Sequence, residues 1–201
     1  AVRAATPGVV PAKHALPDFK RLAAPSALAS LQKSVPFLQK ASITMFNEGG
    51  CVSCHAGNIT ASAVAAARRK GVAVDEAASV ETTKATRLQF AGPAEGLLER
   101  EDLPAIEIMT YALSAMADEG TQPERATDAM LHNIAAHQLA SGHWPYKGIM
   151  RPPTADHLFT TAAFSIRAFR HFAPPARRAE YDERIARAAH ALEAAEALTT
   201  E

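Results

Sequence analysis

Apolar residues recur at helical spacing along most of the chain, and the segments that carry them come in pairs joined by glycine or proline. The spacing predicts a first hairpin over 60–70 and 75–90 with its turn at Gly71. A second is predicted over 104–118 and 123–139 around Gly120, and Thr121-Gln-Pro-Glu124 reads as a capping box with proline in the first turn. A third starts over 159–172, breaks at Pro174-Pro175 and resumes towards Ala197. The three lie over one another at a period of about 45 residues, within the range of helical repeats. Upstream, 26–40 predicts a further helix, bent where Pro36 removes an amide donor. Over 1–25, Pro7, Pro11, Pro17 and Pro25 recur without hydrophobic periodicity, which predicts an extended arm. Alternating strand patterns are brief and alanine is abundant, so the expected fold class is all-α.

The two helices of a hairpin differ in kind. First members are apolar on nearly every side, as Ile106, Ile108, Met109, Ala112, Leu113 and Met116 show, whereas second members carry a charged face such as Arg178, Glu180, Glu183 and Arg187. That contrast predicts an inner layer of helices wrapped by an outer one, each hairpin burying its face against its neighbours. The expected division is an arm over 1–25, a helical segment over 26–91, and α-hairpin repeats over 92–201 that continue it as one unit.

Charge narrows the function classes. The 201 residues hold 21 Lys plus Arg against 21 Asp plus Glu, which lacks the basic excess of a nucleic-acid or anionic-membrane binder. No apolar run approaches the ~20 residues of a bilayer span. The Ala-rich opening over 1–6 suits a processed start and an excised domain equally.

Both cysteines fall in one motif, Cys51-Val-Ser-Cys54-His55, so they cannot form the framework of a disulfide-stapled domain. Thiols three apart can add to the two vinyl groups of haem, and the adjacent His55 then lies under the iron as proximal ligand. A thioredoxin-like pair would want a βαβ context, a zinc site a second ligand pair at knuckle spacing, and chance is the remaining alternative. The expected cofactor is therefore one covalent haem c on Cys51, Cys54 and His55, with Gly49-Gly50 freeing the backbone ahead of it. Covalent haem is attached outside the cytoplasm, which predicts a periplasmic or otherwise exported protein.

The sixth iron ligand would be a methionine or histidine. The histidines are His14 in the arm, His132 and His137 in the second hairpin, His143 and His157 around Trp144, and His171 and His190 in the third hairpin. Met109, Met116 and Met130 lie on predicted helices and Met45 just precedes the motif. His132 is the expected iron ligand, because it interrupts an apolar stretch formed by Met130, Leu131, Ile134 and Ala135; Met109, midway along an inner helix, ranks second. Arg68-Arg69-Lys70 complement a helix C-terminus, with haem propionate pairing as the alternative, and Arg151 is another possible propionate partner.

Ile134-x-x-x-Gln138-x-x-x-Gly142-x-Trp144, followed by Arg151-Pro-Pro153 and the helix over 160–172, resembles the Gln-Trp repeat of the squalene-hopene cyclase and prenyltransferase α/α toroids. The resemblance covers about 104–197. It implies that the Gln138 amide caps the next helix and stacks on Trp144, although Asn133 stands where an aromatic is usual. The acidic Asp-x-Asp-Asp motif of the cyclases is absent, so no cyclase activity is expected. The order of helix, Cys-x-x-Cys-His and hairpins also resembles exported bacterial proteins that join a haem c site to a cyclase-like domain. That resemblance implies a His-Asn-apolar stretch matching His132-Asn133-Ile134.

Together these readings predict an electron-transfer c-type cytochrome, a subunit of a redox complex that meets a redox partner protein. Zero net charge fits a fixed subunit better than an electrostatically steered carrier. The alternatives are a gas or peroxide sensor or enzyme with an open distal position, and a helical module that binds a partner. Three hairpins make half of a six-hairpin toroid, so the last repeat is expected to expose an apolar face for a partner, a second copy or further chain to cover, the alternative being that the arm and 26–40 fold back and close a compact bundle.

Overall fold

The structure, a computed structural model, describes residues 26–50, 52, 54–99, 106–145 and 158–196. The predicted arm lies outside the described residues, as do Cys51, His14, His157 and Arg151. The described residues form eight α-helices and contain no strand. They are α1 (Ala27–Gly49), α2 (Thr60–Arg69), α3 (Glu76–Ala91), α4 (Ala94–Glu99), α5 (Ile106–Asp118), α6 (Arg125–Ala136), α7 (Leu158–Phe172) and α8 (Arg178–Ala194). A π-helical turn, Cys54–Ile59, leads into α2, and a 3-10 turn, Pro175–Arg177, leads into α8.

The predicted hairpins are α2–α3, α5–α6 and α7–α8. The first two turn in the same way. Gly71 and Gly120 adopt positive φ; Val72 and Thr121 amides reach back to Ala67 and Met116 carbonyls, while Gly71 and Gly120 amides bond Arg68 and Ala117 carbonyls. This is the Schellman ending, in which a left-handed residue lets the last carbonyls find donors. In the third hairpin the Arg178 guanidinium takes that role, donating to the Phe169, Arg170 and Ala173 carbonyls.

The first members form a row in which α2 packs on α5 and α5 on α7. From Ile106 to Met116 only Ile108 of α5 retains appreciable exposure, so this helix is core on every side. Each such Leu, Ile or Met withdrawn from water contributes roughly 1.5–3 kcal/mol. Around it gathers the larger cluster, from Phe90 and Leu97 through α5 and α6 to Phe169, Phe172 and Tyr181. A smaller one, Val35, Val64, Ala67 and Val72, joins α1 to α2.

Three expectations change. The first helix continues through Pro36 to Gly49 instead of ending at Lys40, capped by Ser26 and closed by Gly50 at φ 64°. Pro36 is exposed, so the carbonyl that its ring leaves without an amide partner need not be buried dry. The capping box of α6 sits three residues later than predicted: Glu124 is the N-cap, and the Thr127 hydroxyl accepts from its amide at 2.8 Å. Thr121 instead closes α5, and Arg87 of α3 draws the Glu124 carboxylate outward. Finally, among the described side chains of α7 and α8 no large apolar one is exposed. The exposed ones are Leu28, Leu31, Phe37 and Met45 on α1, Val80 and Leu88 on α3, Leu98 on α4, and Leu139 after α6.

Candidate functional site

The chain enters the Cys51–His55 motif from the end of α1, where the Gly50 amide donates to the Phe46 carbonyl at 2.8 Å. Cys54 and His55 open the π-helical turn, whose principal neighbours are α5, α1 and α2. Val52 inside the motif is buried and its carbonyl crosses Gly57 so closely that a Cβ there would stand 1.9 Å from the oxygen. Glycine at 57 is thus a steric requirement of the loop. From the other side α3 holds the segment: the Val52 amide donates to Gln89 Oε1 and the Thr86 hydroxyl meets Asn58 Oδ1, both at 3.4 Å.

The position of α3 is itself set by α1. Buried Gln39 donates to the Asp75 carbonyl at 2.7 Å and to Ser79 Oγ at 3.1 Å, and its Oε1 accepts from the Asp75 amide at 3.0 Å. Asp75 is the N-cap of α3, accepting from the Ala78 amide at 3.0 Å. One fully used glutamine therefore fixes the start of the helix that carries Thr86 and Gln89. Nothing in the apolar periodicity pointed to Gln39, because its signal is polar.

Along α1, on the approach to Cys51, runs a groove of about 590 Å³. Phe37, Ala41, Met45 and Gly49 give it apolar walls, and Lys40 and Glu48 stand at its rim. Its volume falls within the roughly 300–1,000 Å³ usual for cofactor sites. All of these residues lie on α1, whereas Ser42, Ile43 and Phe46 of the same helix are the ones that meet Val52 and Gly57.

Of the residues expected as sixth ligand, Met109 is on α5, a principal neighbour of the π-helical turn, and His132 is on α6. His132 is on α6, whose principal neighbours are α4, α3, α5 and α7, not the π-helical turn. With Arg125, Asp128 and Ala136 it forms the one stripe of α6 that is not buried. Its place in an apolar sequence thus marks the solvent edge of an otherwise buried helix. Burial pushes the neighbouring Asp128 carboxyl above its usual value. Met109, Met116 and Met130 are sealed in the larger cluster. Of the described histidines, His137 bonds the Asn133 carbonyl at 2.8 Å, His171 bonds the Thr121 carbonyl at 3.0 Å, and His190 is exposed on α8.

The basic run after the motif is engaged by carboxylates. Arg68 donates to both Glu76 oxygens at 2.8 Å and to Glu119 at 3.1 Å, and Arg69 lies 3.7 Å from Asp118. Burial raises the Glu119 carboxyl above its ordinary value although Arg68 opposes the shift. The run thus ties α2 to α3 and α5.

Around Trp144, the indole donates to the Ile134 carbonyl at 2.7 Å and Asn133 donates to the Leu97 carbonyl at 2.8 Å, tethering α4. The Gln138 amide donates to the Gly142 and Arg184 carbonyls at 3.2 and 2.9 Å. It bonds into the middle of α8, whereas the toroid resemblance implied a cap on the next helix. No protein-family model, curated protein or solved structure matches the chain. Among the described residues, no helix is long and apolar enough to cross a membrane.

Proposed function

We propose that this protein is an electron-transfer c-type cytochrome carrying one haem on Cys51, Cys54 and His55, exported from the cytoplasm and working with a redox partner protein. The observation that carries the reading is the residue order Cys51-x-x-Cys54-His55, whose thiol spacing and adjacent imidazole are those of haem thioether attachment. Bound haem supplies a one-electron ferric/ferrous couple. The electron arrives from one redox protein and leaves to another; no bond of the polypeptide changes.

The chain's part would be to bind and tune. His55 would hold the iron, and Gly57, Gln89 and Thr86 keep the segment around Val52 and Asn58 in shape. The scaffold is of the α/α-toroid kind in this reading, supported by the row α2, α5, α7.

Co-expression with a haem c maturation system, followed by acid denaturation and organic extraction, tests the attachment. The colour is expected to stay with the polypeptide, with intact mass raised by one haem. Colour leaving with the solvent refutes the proposal.

A further inference from the structure

We infer that the outer face of α1 is a self-association surface, on which a second copy of this chain lays its own α1 antiparallel. Ser34, Phe37, Ala41, Thr44 and Glu48 are all exposed and follow one another at alternating spacings of three and four residues. That alternation is the seam of paired helices, because it keeps one stripe turned to a partner over successive turns. The groove of about 590 Å³ opens along this stripe, with Phe37 71 % and Met45 45 % exposed, and its lining residues all belong to α1. Small side chains at Ser34, Ala41 and Thr44 permit close approach. The Ser34 hydroxyl already donates to the Ser30 carbonyl at 2.8 Å, so covering it strands no donor.

The face is its own complement. About a two-fold axis at Ala41, the residues four positions to either side meet, Phe37 of each copy against Met45 of the other, aromatic ring against thioether. Seven positions to either side stand Ser34 and Glu48, so the Glu48 carboxylate of one copy falls beside Lys33 of the other, and the symmetry makes this pair twice. Lys40, nearest the axis, is exposed and keeps its ammonium in water on the flank. A parallel pair would instead set Glu48 against Glu48 and Lys33 against Lys33, and would align the two helix dipoles. Residues 1–25 suit the face less well, since they carry Arg3, Lys13, Lys20 and Arg21 against Asp18 alone, a basic excess that Lys33 and Lys40 repel. The zero net charge of the whole chain leaves two copies without long-range repulsion.

One helix face is smaller than the ~800 Å² per partner of a standard interface, so a dissociation constant in the micromolar range or weaker is expected. The test is sedimentation of the full chain from low to high micromolar concentration, with thiols kept reduced so that no disulfide links copies. Monomer should pass to dimer as concentration rises. Phe37→Glu should stay monomeric throughout, and because Phe37 is exposed its far-ultraviolet dichroism should match that of the unsubstituted protein. Glu48→Lys should weaken the dimer about tenfold, each lost pair counting twice. Adding Lys33→Glu to the same chain should restore it, a reversal that damage to α1 would not produce. A chain that stays monomeric at every concentration overturns the proposal, whether 1–25, another protein or water covers the face. So does a dimer that survives Phe37→Glu, or one that the second charge change fails to restore.

Discussion

Gly142 shows how a single residue without a side chain joins two parts of the fold. Its φ of 91° lies in the left-handed region, and a Cβ built there would stand 2.3 Å from the Arg187 carbonyl of α8. Backbone geometry and steric closeness therefore require the same residue, and the neighbouring Gln138 bond to the Arg184 carbonyl depends on the same approach. Gly142→Ala should destabilise the protein by about 2–3 kcal/mol, strain and clash acting together. Gly120 has φ 75° with nothing near its Cβ position, so Gly120→Ala should cost only about 1 kcal/mol. Urea denaturation of the two variants checks the order; equal losses would mean that the loop moves away from α8 at little cost. Legibility at this scale was uneven. Cys51, Cys54 and His55 stand out in the sequence because their types and spacing are those of haem attachment, whereas Gln39, which fixes the start of α3, shows itself only in packing.

Among the elements, α6 depends on charge supplied by α3. Arg87 donates to the Glu124 carboxylate through Nε at 2.7 Å, and these hydrogen bonds hold the carboxyl below its ordinary value of 4.5. A carboxyl whose folded value is depressed stabilises the fold above its unfolded value, and that contribution is lost as pH falls through the folded one. Because the pair is partly exposed and screened, its worth is about 0.3–1 kcal/mol. Glu124→Gln should therefore be less stable than the unsubstituted protein near neutrality, with the gap closing as pH drops below 4.5. Urea midpoints at a series of pH values measure it. A gap that stays constant into acid would assign the loss to the cap of α6 and not to the ion pair. Glu119 acts in the opposite sense. Burial raises its folded value, so its contribution is greatest in acid and is lost as pH rises through that value. The same pair explains why the helix start was misplaced in sequence. Thr121 and Glu124 have the spacing of a capping box, but Arg87, distant in sequence, claims the glutamate. The Schellman turns at Gly71 and Gly120 were legible because they are made by residues adjacent in the chain. The extension of α1 over 41–49 was not, since its buried stripe includes Gln39 and Ser42. α4 is six residues long and depends on a bond from Asn133.

For the whole molecule, α5 is the element on which cooperation turns. It packs on α7 and α6 within the larger cluster, and on α2 and the π-helical turn that begins with Cys54 and His55. Loosening the larger cluster therefore loosens the helix on which the π-helical turn packs, and packing runs on across residue 91. The single tryptophan, Trp144, is buried against the larger cluster and bonded to the Ile134 carbonyl, so its fluorescence reports the end of the molecule far from the motif in sequence. Haem on Cys51, Cys54 and His55 would report the other. If α5 couples them, the fluorescence and haem absorption of the loaded protein should change at the same urea concentration, and far-ultraviolet dichroism should follow both; coincident probes are the mark of a two-state transition. Met109→Ala, which empties a buried position of α5 at a cost of about 2–5 kcal/mol, should move all three midpoints together. A haem transition that stayed in place while the tryptophan transition moved would show that the attachment segment unfolds as a separate unit, and would remove α5 from the support of the haem site.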